Sequence, residues 1–397
     1  VTPAPEAAPA ATTTRTLLVL TASAFVVLAA EPTFVLVDTA VVGHLGPTPL
    51  GALGIGGTLL SLVTIVGGFL EYGTTARAAR WFGAGQRHRA VDEGATATVL
   101  ALGLGLLAIA LGEGLAGPLI GLLTGGNHAV ADAAIGWFRI AVLGLPGILM
   151  VLAGNGWMRG VQETRRPVLI VVGANVASAI ASPLLVYAAG LGLTGSAVAN
   201  VAAQAIGGGL FLRAVHREQP RWRPQWSVLR AQLVLGRDLI LREAGFQAAF
   251  LTAAAVAARM GTAVIAAHQM GYQLWNLTAL PLDSFAIAAQ SLVGAALGGG
   301  DVDKARRTAA QVARFGLAAG GATGAVLAVG WELIPAAFTS THAVRHQVSD
   351  LGGSWPGCNR PPGSSSPWTG CCSAPVTWAS CAASPWSRPS GCSSASP

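Results

Sequence analysis

The chain has 397 residues, of which 52% are hydrophobic and only 10% charged, with a formal net charge of +7. Soluble domains carry roughly 25% charged residues, so this composition excludes an ordinary water-soluble enzyme or binding module. The positive balance does not point to nucleic acid, because the arginines gather in loops between apolar runs and follow the topology.

Val1–Arg15 is rich in Pro and Ala and lacks the charged start and cleavage pattern of a secretory signal. It is expected to be a disordered cytoplasmic tail. One helical bilayer crossing takes about 20 apolar residues. Nine segments meet or approach that length: Thr16–Val42, Gly51–Thr75, Gly94–Ala116, Asp132–Met158, Val168–Gly190, Thr194–Val215, Asp238–Met260, Thr262–Leu297 and Thr308–Leu333. The eighth exceeds a single span and must include interfacial or loop residues.

The connections after even-numbered spans are basic. Arg77, Arg80, Arg87 and Arg89 follow span two, and Arg159, Arg165 and Arg166 follow span four. Arg213, Arg217, Arg221, Arg223, Arg230 and Arg237 surround the connection after span six, while Lys304, Arg306 and Arg307 follow span eight. Gly43–Leu50 and Gly117–Ala131 carry almost no Lys or Arg. Short loops rich in these residues stay in the cytoplasm. The N-terminus and the even connections are therefore predicted to lie inside, with the chain in the plasma membrane.

Sliding the chain against itself by 215 residues aligns Gly83–Ala90 with Gly298–Ala305, and Gly46, Ala52 and Gly56 with Gly261, Ala267 and Gly271. Both aligned loops are basic and both follow the second helix of a six-helix set. Six is even, so the halves enter the membrane in the same sense, as parallel repeats about an axis along its normal. The predicted fold is an all-α polytopic membrane protein of two six-helix repeats, the second incomplete. The expected organisation is a lobe over residues 16–215, a cytoplasmic linker over 216–236, a partial second lobe of three spans over 237–348, and a tail over 349–397.

The repeat places Thr341-His342-Ala343-Val344 opposite Asn127-His128-Ala129-Val130, where a tenth span should begin. From about Ser349 the composition instead turns to Ser, Pro, Cys, Trp and Gly, and all five cysteines fall there: Cys358, Cys371, Cys372, Cys381 and Cys392. A disulfide or metal module would want ordered spacing, and a disordered tail suits the Pro and Ser content. Out-of-frame translation of a GC-rich gene produces the same mixture. One lysine against 23 arginines, and the abrupt change inside an expected helix, favour the last reading. On it, three helices of a repeat running to roughly residue 430 are missing.

The stretch Val37-Asp38-Thr39-Ala40-Val41-Val42-Gly43-His44-Leu45-Gly46 closely resembles the first-helix signature of multidrug and toxic compound extrusion (MATE) transporters, of the DinF-like branch. The resemblance continues through Gly73-Thr74-Thr75, Gly83-Ala84-Gly85, Ala266-Ala267-His268-Gln269 and Leu282–Gln290, and covers about residues 16–348 in one register. It implies twelve helices in two lobes that export amphipathic cationic compounds in exchange for H⁺ or Na⁺.

The ionisable residues within spans fit a coupled transporter. Asp38, near the outer end of span one, is a carboxylate in low dielectric that can exchange a proton or trade it for a cation. Pro32, six residues earlier, removes a backbone hydrogen bond and can bend the helix as a gate. Glu31 faces another direction from Asp38; a structural and a functional role are both open. In span five the family commonly places an Asn and an Asp one turn apart; here the matching residues are Ser178 and Ser182. Their hydroxyls can hydrogen-bond Asp38 or ligate Na⁺ but cannot shuttle a proton, which shifts weight onto Asp38. Asn175 and Gln204 either line this lobe or hold helices together. In the second lobe Asp283 is the stronger cavity candidate, with Arg242 and Glu243 next to each other in span seven; Arg242 can also snorkel to the interface. His268 and Gln269 offer a titratable ring and an amide, or a structural hydrogen bond.

There is no His-Glu-x-x-His, Walker loop or nucleophile elbow, so no enzyme activity, cofactor or bound metal is expected and an ion gradient must drive transport. The expected partners are amphipathic cations and the bilayer, not nucleic acid, with the protein a monomer. A flippase for lipid-linked precursors, or an inactive truncated membrane protein, are the alternatives.

Overall fold

The computed structural model describes residues 14–125, 127–222 and 226–330. These residues form eleven α-helices: α1 (Thr14–Gly43), α2 (Pro47–Gly67), α3 (Phe69–Gly83), α4 (Arg87–Leu123), α5 (His128–Ala141), α6 (Leu145–Gly160), α7 (Arg165–Pro183), α8 (Leu193–Arg217), α9 (Trp226–Met260), α10 (Thr262–Gly298) and α11 (Val302–Gly330). No strand occurs among the described residues. In hydrocarbon a backbone must satisfy its own hydrogen bonds, and a helix does so within one segment.

Among the described residues, eight helical stretches are long and apolar enough to cross a membrane. With its 30 residues, α1 is about 45 Å long, more than the roughly 30 Å of a hydrocarbon core. The second crossing is α2 and α3 together (Pro47–Gly83), and the fourth is α5 and α6 together (His128–Gly160). A 3₁₀ turn at Val142–Gly144 interrupts the latter just before Pro146, which has no N–H to continue the ladder. The 29 residues of α11 suffice in length for a ninth crossing, though its expected end at Leu333 lies outside the described residues. So do the N-terminal tail up to residue 13, the junction near Val348 and the Cys-bearing tail.

Helices run beyond the predicted spans: α3 continues to Gly83 and so carries Arg77 and Arg80, which the sequence places in a loop. Arg159 also departs from its expected position. It lies on the last turn of α6, where it is buried and paired with Glu71 of α3.

The 215-residue repeat is visible in the backbone. At the end of α3, Gln86 N–H donates to Trp81 C=O and Gly85 N–H to Phe82 C=O, with Gly85 at φ 72°. At the end of α10, Asp301 donates to Ala296 and Gly300 to Leu297, with Gly300 at φ 77°. Each is a Schellman-type cap that needs a left-handed residue, and every position differs by 215.

The described chain divides into two compact units. The first comprises residues up to 249 together with Asp283–Val312. In it α3, α4 and α6 pack on one another, α6 on α8, α2 on α5, and α7 on both α1 and α8. Its interior is built on Trp137 and Phe138, on Trp157 and Phe211, and on Phe69 and Leu149. Trp157 lies in the notch left by Gly94, where an added Cβ would overlap the indole. The second unit holds, among the described residues, 250–282 and 313–330; in it the rings of Tyr272 and Trp275 each lie 5.0 Å from Phe250.

Leu36, Leu106, Leu122, Leu169 and Ile180 project outward from the first unit. Such a belt would aggregate in water and is the expected contact with lipid. At one end of the same unit charges converge. Glu218, after α8, accepts from Arg87 at 3.1 Å and lies 3.9 Å from Arg166, while Asp92 accepts from the Arg221 N–H at 2.9 Å. Glu93 takes Arg77 at 2.6 Å and the Trp81 indole N–H at 3.1 Å.

Candidate functional site

Asp38 lies inside the first unit, 4% exposed, with both carboxylate oxygens engaged. Ser182 Oγ donates to Oδ1 at 2.6 Å, and Ser196 Oγ donates to Oδ2 at 2.7 Å. Both serines are fully buried. A carboxylate only accepts, and hydrogen bonds this short are typical of a charged acceptor. Trp137 Nε1 donates in turn to Ser196 Oγ at 3.4 Å, which orients that hydroxyl. Just beyond, the Tyr187 hydroxyl donates to the Val41 carbonyl and ties the end of α1 to the segment after α7.

The local fold explains how two serines 14 residues apart reach one acid. Ser182 stands on the last turn of α7, next to Pro183. The chain then makes a π-helical turn, Leu184–Ala188, and reverses through Gly190 and Gly192, at φ 69° and 55°. Single π turns concentrate at functional sites, and glycine takes the left-handed conformation at no steric cost. Ser196, in the first turn of α8, therefore returns to the depth of Ser182.

One turn deeper, Ser178 precedes Ser182 by four residues on the same face of α7. Ser178 is buried, its Oγ has no partner among the described residues, and it borders a cavity of about 20 Å³ with Phe34, Val151, Asn175 and Gln204. That volume holds one water. Asn175 also lines the cavity, with its amide donating to Val171 C=O at 2.9 Å. Of the predicted set, the structure thus brings Asp38 and Ser182 into direct contact and puts Ser178 and Asn175 at the adjoining cavity. Pro32 lies within a continuous α1, so Glu31, seven residues before Asp38, falls on nearly the same side of the helix two turns away rather than facing another direction, and it is exposed.

Sequence reasoning missed Ser196 and Trp137. Ser196 sits in a Thr-Gly-Ser helix start that reads as a loop boundary, and only the reversal after α7 carries it to Asp38. It also missed Glu71, whose pairing buries Arg159. Arg139, on the last turn of α5, is 3.5 Å from Glu113.

The second-half candidates form a looser group. Asp283 lies within electrostatic reach of Arg242 and Glu243, and all three are within reach of Tyr72 on α3. Asp283 and Arg242 are exposed and Glu243 is half-buried. His268 is half-buried and Gln269 exposed, both on α10 in the second unit.

The MatE family model matches residues 23–184 and 239–352. The chain belongs to the MatE family. Among related MatE and MATE proteins, DNA damage-inducible protein F from Escherichia coli is 33% identical over 68% of this chain and 61% of its own length. Protein DETOXIFICATION 44, chloroplastic, from Arabidopsis thaliana is 30% identical over 80% of this chain and 63% of that protein. This MatE chain therefore spans about three fifths of the length of these curated relatives. A solved outward-facing multidrug resistance MATE family transporter of the MOP superfamily superposes with a TM-score of 0.76 at 21% identity, over 85% of this chain and 77% of that one. The fold is that of MATE transporters, and the protein is a multi-pass membrane protein of a transporter family.

Proposed function

We propose that the chain is a cation-coupled efflux antiporter that works by alternating access, with Asp38 as the coupling acid. The observation that carries this reading is a buried carboxylate held by two hydroxyls, Ser182 and Ser196, between spanning helices. A charge that deep in a membrane protein is costly and usually functional. The serines suit its exchange. A hydroxyl donates to the carboxylate and can rotate to accept from the protonated acid, so both states are satisfied without a second carboxylate. On this reading the small cavity beside Ser178, one turn along α7 from Ser182, is the next step for an entering H⁺ or Na⁺.

The expected cargo is an amphipathic, cationic small molecule. The structural neighbour is described as a multidrug resistance transporter, and protonation of Asp38 would cancel the negative charge that favours a cation. On this reading the protein acts as a monomer, without cofactor or enzyme activity, in the plasma membrane. The N-terminus is cytoplasmic, supported by the convergence of Arg87, Arg166 and Arg221 at one end. Residues 16–215 and 237–348 serve as the two lobes. A flippase for anionic precursors would need free cations along its cavity, whereas Arg139 and Arg159 are each paired with a glutamate.

The test is Asp38→Asn in inverted membrane vesicles under an imposed H⁺ or Na⁺ gradient. Loss of gradient-driven uptake of a fluorescent organic cation, with insertion unchanged, is expected, and the gradient that drives the unsubstituted chain names the ion. Unsubstituted-level transport by the variant would sink the assignment.

A further inference from the structure

The helices α3 and α10, equivalent in the repeat, meet inside the first unit at their C-terminal ends. A Cβ on Gly83 would overlap the Ala295 carbonyl, and a Cβ on Gly298 would overlap the Arg80 carbonyl. These two contacts are one contact written twice, since 80 and 295, like 83 and 298, are 215 apart. One turn earlier, a Cβ on Gly294 would stand 2.9 Å from the Ala79 Cβ, and 79 and 294 are again equivalent. Ala79-x-x-x-Gly83 therefore faces Gly294-x-x-x-Gly298 across a local two-fold axis. Small residues four apart allow helix backbones in membranes to touch. Deeper, Ser291 Oγ of α10 donates to the Arg159 carbonyl of α6 at 2.6 Å.

Two features of this crossing suit an interface that opens. The contacts seen across it join small residues and backbone, so their attraction is dispersion and weak Cα–H···O contact. Separation would expose only small residues and backbone carbonyls, at the end where the basic loops converge and water can hydrogen-bond them. The contrast lies one layer deeper in the same unit: Glu71 and Arg159 are buried as an ion pair, and opening there would need two charges to be resolvated or stranded. The weak layer is thus the outer one, and the charged layer belongs within the first-half helices.

We infer that the reciprocal crossing of Ala79 and Gly83 with Gly294 and Gly298 is the cytoplasmic gate of the transport cycle, closed in this structure. The gate's meaning rests on the transport reading and on the charge-based orientation. A full cycle then requires the crossing to separate, and a covalent bond across it stops the cycle.

The experiment places Ala79→Cys and Gly294→Cys together in the full chain, with each single substitution as control for the five cysteines beyond residue 357. A disulfide wants Cβ atoms about 3.8 Å apart, so the helices need give by only about 1 Å. Mild oxidation should join residues 79 and 294 in the double variant, as mapped by mass spectrometry of proteolytic fragments; absence of that bridge overturns the crossing. Residue 79 in the Ala79→Cys chain should react slowly with a membrane-impermeant maleimide supplied to the cytoplasmic face, although Ala79 is fully buried. A thiol that never reacts there means static packing and overturns the gate. Oxidation should cut transport at least tenfold and a reductant should restore it; undiminished transport by the bridged protein also overturns the gate. If the reduced double variant and the unsubstituted chain both fail to transport, the antiporter reading falls while bridging and labelling still decide the gate.

Discussion

Asp38 and Asp283 are each a carboxylate a few residues after a proline in a spanning helix, and the fold treats them in opposite ways. Asp38 is enclosed and answered by neutral hydroxyls, whereas Asp283 is open and answered by charges, with Arg242 and Glu243 in reach. An enclosed carboxylate needs a donor for each oxygen, because an unmet charge in low dielectric is severely unfavourable. An open one can share mobile neighbours and water. Hydroxyls suit an acid that must gain and lose a cation, because they follow its state without imposing a countercharge. The contrast supports the exchange role proposed for Asp38, with general electrostatic attraction proposed for Asp283.

Four tests break or sharpen that contrast. Asp38→Asn should reduce gradient-driven efflux to background at unchanged membrane abundance, measured as uptake into inverted vesicles. Next in size is damage to the buried ion pair, which tests stability separately from exchange. Glu71→Ala leaves Arg159 charged and alone and should destabilise the protein by about 3–5 kcal/mol. Glu71→Gln with Arg159→Met should restore most of that, read as thermal unfolding in detergent. Ser182→Ala and Ser196→Ala each remove a hydrogen bond to a charged group worth about 1.5–3 kcal/mol. Each should slow efflux roughly tenfold without lowering the melting temperature by more than a few degrees, and equal effects would show that both oxygens matter. Asp283→Asn should be mildest, about a two- to threefold weaker apparent affinity for an organic cation at an unchanged maximal rate. A loss as deep as that of Asp38→Asn would erase the distinction between the two acids.

Much of this was legible in the residues. Apolar runs separated by arginines located the crossings, because the bilayer demands about 20 apolar residues whatever their neighbours. The four-residue spacing of Ser178 and Ser182 put them on one face of α7, and the first-helix motif singled out Asp38. Arg159 was misplaced because its position at the end of an apolar run looks the same whether it meets water or Glu71. The helix ends were underestimated because long helices carry polar turns into the interface, as Arg77 and Arg80 do on α3.

The sequence by itself determined the all-helical membrane fold, the 215-residue repeat, the family and the acid on which coupling is proposed to rest. Hydropathy and spacing are local properties, and a motif sits in one segment. Only the tertiary structure decided that Ser196 shares Asp38 with Ser182, that Glu71 holds Arg159, and that Gly83 meets Ala295 while Gly298 meets Arg80. Each of these joins residues on different helices. Their meeting depends on where the turn after α7 points and how closely two backbones approach, which no single segment encodes.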